Sequence, residues 1–154
     1  MDNTHLKHAA APVEQTGPHD TATRLLLIAG DATAFIIFAA IGRRSHGEAA
    51  GLAAIVEVFK TAAPFLLGWF IAAPWLRTFR PDHYQPGNNP AWWQFAGRIA
   101  LAWVVALPVG LALRAFFLQR DIPISFAVVT FITNLLLLLS WRGVFAVLWK
   151  RRER

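Results

Sequence analysis

The chain contains no cysteine among its 154 residues. That excludes disulfides, thiolate metal sites, iron–sulfur clusters and cysteine nucleophiles. Charge is also scarce: 16% of residues are Asp, Glu, Lys or Arg, where soluble domains carry about 25%. The five histidines, His5, His8, His19, His46 and His83, all lie outside the long apolar runs, which argues against a bis-histidine haem within a membrane. No serine–histidine–acid order, glycine-rich phosphate loop or metal-ligand spacing occurs, so nothing indicates an enzyme, a catalytic residue, a cofactor or a metal.

What remains is hydrophobic. Apolar residues make up 56% of the chain, mean hydropathy is positive, and the apolar residues fall into a few long runs, the pattern of an integral membrane protein. The net charge of +6 suggests nucleic acid at first sight. However, the basic residues sit at the ends of the runs and in the C-terminal "KRRER". That placement fits the positive-inside rule and contact with anionic lipid headgroups, with no role for nucleic acid.

Residues 1–23 are polar and aperiodic and read as a disordered tail. No apolar core near Met1 precedes a small-residue cleavage site, so the first run is expected to remain as a helix and not to be removed as a signal peptide. Four spans follow, over about 24–42, 52–75, 92–117 and 122–148, inside a membrane domain of 24–149. Each reaches or nearly reaches the roughly 20 residues that cross ~30 Å of hydrocarbon. Residues 150–154 form a basic tail. The middle connection holds Pro81, Pro86, Pro90 and Gly87 and reads as a loop, while "LQRD" makes spans three and four an antiparallel hairpin. The expected fold is an all-α four-helix bundle.

Lys7, Arg24, Arg77, Arg80, Lys150, Arg151, Arg152 and Arg154 lie on the side of the termini, against Arg43, Arg44, Arg114 and Arg120 on the other. Both termini are therefore expected to be cytoplasmic. Trp75, Trp92, Trp93, Trp141 and Trp149 fall near the same boundary.

Asp31 lies within the first run, about 10 Å inside Arg24. An ionisable group at such depth costs about 2.5–3.5 kcal/mol to insert, so its presence asks for a function or a partner. Aspartate is too short to snorkel out, and Gly30 and Ala34 beside it allow close helix approach. By depth, two partner sets are open. Arg98, about 9 Å inside Trp92, shares the level with Asn134, which together with Thr130 or Thr133 would complete the hydrogen bonds. Lys60 is the other, although it can also pair with Glu57 at i, i+3, and residues 48–60 can instead lie at the interface. Pro64 is expected to kink the second span and free a backbone carbonyl. Glu57, Thr61, Pro64 and Gly68 share a face that borders either a small polar cavity or a helix-packing seam. Arg43, Arg44, His46 and Arg114 form a basic rim at the outer end, suited to anions.

The motifs "GDA" at 30–32, "GRRSHG" at 42–47, "TAAPFLLGW" at 61–69, Arg114 in "LALRA", "SF" at 125–126 and "WR" at 141–142 together resemble the prokaryotic membrane proteins of domain-of-unknown-function family 3054. The resemblance covers about residues 25–148. It implies a small four-helix protein of a prokaryotic cytoplasmic membrane with no assigned activity, and it directs attention to Asp31, the Arg43–His46 loop, Lys60 to Trp69, Arg114 and, at the inner end, Arg142. Two functional classes are expected. One is a transport-like carrier or channel subunit with an intramembrane acidic group, which at this size needs a homo-oligomer. The other is an accessory or assembly subunit of a larger membrane complex.

Overall fold

The structure, a computed structural model, describes residues 18–44, 51–80, 92–119 and 121–152. The tail over 1–17, the loops that contain His46 and His83, Arg120 and the last two residues lie outside the described residues, as does the Arg44 side chain.

Four helices account for nearly all of this: α1 (Pro18–Arg44), α2 (Leu52–Trp75), α3 (Trp92–Leu118) and α4 (Ile124–Arg152). All four are long and apolar enough to cross a membrane, so the chain is built as a multi-pass membrane protein. α1 starts six residues before Arg24, at Pro18. Proline suits a first helical turn because its missing N–H would have no intrahelical partner there. The helices run alternately up and down. Each packs against its sequence neighbours, and α1 packs against α4, which closes the ring.

Between helices in lipid, packing and hydrogen bonds must supply what the hydrophobic effect supplies in water. Glycine permits the closest approach. A β-carbon on Gly68 of α2 would stand 2.6 Å from the Ala106 carbonyl oxygen of α3, and one on Gly110 would stand 2.7 Å from the Phe65 ring. The face that carries Pro64 and Gly68 is thus a packing seam against α3. Across the centre, Phe35, Phe65, Trp69 and Trp103 are fully buried and meet edge-to-face or tilted, with ring centroids 5.3–6.4 Å apart. The interior at mid-depth is filled with aromatic rings, and the Trp103 indole N–H finds the Phe131 carbonyl of α4 at 3.0 Å.

Candidate functional site: a buried ion-pair knot

α2 ends in a turn that matters for the site. Arg77 has φ 55°, the Arg77 N–H bonds to Pro74 O at 3.0 Å, and the Thr78 N–H reaches Ala73 O at 3.1 Å. These are the two bonds of a Schellman cap, with Arg77 in the left-handed position usually given to glycine. The Thr78 hydroxyl also donates to Ala73 O at 3.0 Å. The chain thereby folds back over the bundle end with Thr78 buried and its carbonyl turned inward.

That carbonyl meets Arg142. The guanidinium of Arg142, on α4, donates from Nη1 to Thr78 O at 2.6 Å, from Nε to Asp31 Oδ1 at 3.0 Å and from Nη2 to Asp31 Oδ2 at 2.5 Å. Trp69 of α2 adds an indole N–H to Asp31 Oδ2 at 2.9 Å. The Arg142 guanidinium lies 5.5 Å from the Trp69 ring centroid and 5.0 Å from that of Phe79, within cation–π range. Asp31 is 0% and Arg142 1% exposed. A planar fork facing a carboxylate through two parallel bonds is the strongest ion-pair geometry available to side chains. Burying it is tolerable only because the remaining acceptors and donors also find partners. One knot therefore ties α1, α2, α4 and the turn after α2.

This corrects the depth-based pairing. Asp31 is held by Arg142 and Trp69, and neither Arg98 nor Lys60 is among its partners. Arg98 is exposed on α3, as expected of a long side chain that can reach an interface. Lys60 bonds to Glu57 at 2.8 Å, with 67% and 46% of the two side chains exposed. Asn134 does not complete the Asp31 network. It sits two turns from Arg142, roughly 12 Å along α4, and donates to the Thr130 carbonyl at 3.0 Å. The Asn134 Oδ1 and Thr130 Oγ1 atoms are buried without a hydrogen-bond partner, and so is the Trp141 indole nitrogen. Its ring packs against Gly30, where a β-carbon would come within 1.8 Å of it.

At the opposite end, Arg114 of α3 stacks 4.6 Å over the Phe126 ring of α4. Together with Asp121 and Ser125 they line a cavity of about 520 Å³. Of the basic rim, Arg43 and Arg114 are described and partly buried.

Neither the Trp69 donor nor the Thr78 carbonyl has a signature in the sequence, whereas the depth of Arg142 does. Arg142 lies seven residues inside Trp149, about 10 Å, the level of Asp31. Three of the motifs, "GDA", "TAAPFLLGW" and "WR", supply Asp31, Trp69 and Arg142.

The chain matches the family described as "Protein of unknown function (DUF3054)" over residues 28–145, a range that contains the whole knot. No curated protein matches it, and no solved structure does. The chain belongs to that family.

Proposed function

We propose that the chain is a non-transporting accessory or assembly subunit of a larger membrane complex, in which Asp31 holds helices together and does not carry protons. The observation that supports this reading is the occupancy of the carboxylate: both oxygens accept bonds, from Arg142 and Trp69, at full burial. A coupling carboxylate must gain and lose a proton in turn. Both oxygens are already committed to donors fixed on other helices, and removing the carboxylate would strand Arg142 as a buried cation, a loss of about 3–5 kcal/mol. The aromatic rings that fill the level of Phe35 and Trp103 add to the case, since a carrier needs a passage there.

The test is reconstitution. Liposomes that contain the purified chain alone should show no proton or ion flux, and mild-detergent extracts should retain it in a larger complex that Asp31→Asn weakens. A flux abolished by Asp31→Asn with folding intact would overturn the reading.

The carrier or channel reading has one observation in its favour. Along the inward face of α4, Phe126 beside Arg114 is followed by Thr130, Asn134, Leu138 and Arg142, and the side-chain oxygens Thr130 Oγ1 and Asn134 Oδ1 in the middle lack partners. Two buried polar side chains of this kind would lie on a route toward Asp31, which would then have to pass Leu138, and the same flux measurement decides.

A further inference from the structure

We infer that the trough between α3 and α4, at the end of the bundle that holds both termini, is a binding site for one phospholipid with an anionic headgroup. The trough has a volume of about 560 Å³ and runs from Arg151 to Leu139 along α4, with Trp92 of α3 as its opposite wall. Twelve residues of helix rise roughly 18 Å, and one leaflet of a ~30 Å hydrocarbon core is about 15 Å deep. The trough is therefore as long as an acyl chain's leaflet.

Its chemistry changes along that length as a phospholipid does. Its walls are mainly apolar, with Val144, Val147 and Leu148 each more than half exposed, and the one uncharged polar side chain, Ser140, lies beside Leu139 at the deep end. Gly143 keeps the floor low: nothing projects there, and a β-carbon would already touch the Trp92 ring at 3.4 Å. The shallow end carries Arg151, whose side chain is exposed and whose guanidinium fork matches a phosphate. The Trp92 ring sits beside Gly143, part-way down the trough, while Trp93 and Trp75, at the same end of the bundle as Arg151, are 74% and 86% exposed. Indoles gather at the headgroup level, so this end of the trough opens there. A positive fork at the headgroup level above an apolar trough one leaflet deep complements a negatively charged phospholipid.

The full chain in detergent, titrated with phosphatidylglycerol or phosphatidylcholine and read by native mass spectrometry, tests the site. Wild type should retain one phosphatidylglycerol in preference to phosphatidylcholine. Arg151→Gln should lower that retention about fivefold, the attraction of one basic residue for an anionic headgroup. Gly143→Leu, which fills the trough, should abolish retention of either lipid. Gly42→Leu, at a position with open space around it, should change nothing. Brominated acyl chains should quench wild-type fluorescence more than that of Trp92→Phe. Equal retention of the two lipids by wild type would overturn the site. So would retention in Gly143→Leu that still responds to Arg151→Gln, which would mean that the basic end attracts lipid without the trough.

Discussion

Replacing Gly68 by alanine puts one methyl group where α2 and α3 nearly touch. The added carbon would lie 2.6 Å from the Ala106 carbonyl oxygen and 3.0 Å from the Gly110 nitrogen. Both are backbone atoms of a continuous helix, so no rotamer change relieves the clash, and the helices must part by about 1 Å to regain ordinary contact. Overpacking of this kind typically costs 1–3 kcal/mol. The upper half of that range applies because Trp69, the next residue, would be displaced from both Trp103 and Asp31. Gly97 of α3 is the control, with nothing within 4 Å of its added carbon. There, alanine should stabilise by about 0.5–1 kcal/mol through helix propensity alone. Unfolding in a mixed detergent series, followed by near-ultraviolet circular dichroism of the buried tryptophans, measures both. If Gly68→Ala is as stable as Gly97→Ala, the close α2–α3 seam is wrong.

Three further outcomes follow from the knot and its surroundings. Trp69→Phe removes the indole donor to Asp31 and leaves a gap beside Trp103, and should lose about 2–4 kcal/mol in the same unfolding assay. Arg77→Gly relieves the left-handed residue of the cap and should gain about 1 kcal/mol, with the knot intact by the same tryptophan signal. Lys60→Gln breaks an exposed pair and should leave the midpoint of unfolding unchanged; a large loss would return Lys60 to the list of partners for Asp31.

The spans were legible because hydropathy reads the solvent, and a bilayer is a uniform one. Their ends were less so. α1 continues back to Pro18 and α4 on to Arg152 because backbone hydrogen bonding continues past the hydrocarbon until something interrupts it. That Asp31 faces the interior followed from its length and from Gly30 and Ala34. Its partner did not follow, for a physical reason. Depth places a residue along the membrane normal but says nothing of its bearing around the helix, so Arg98, Lys60 and Arg142 were separated only by which faces meet. Arg98 turns outward and Arg142 inward, and the Thr78 contribution depends on a Schellman turn with arginine where glycine would have advertised it. Asn134 shows the converse: it is buried as its position implied, but at a different level from the charge it was expected to serve.

The central claim is that Asp31 and Arg142 act as one unit. A double-mutant cycle in detergent tests it most directly, with unfolding free energies for wild type, Asp31→Asn, Arg142→Gln and the double variant. Each single change should lose about 3–5 kcal/mol by stranding a buried partner, and the double should lose at least 2 kcal/mol less than their sum. Additive losses, or coupling of Asp31 to Arg98 in a parallel cycle, would contradict the account.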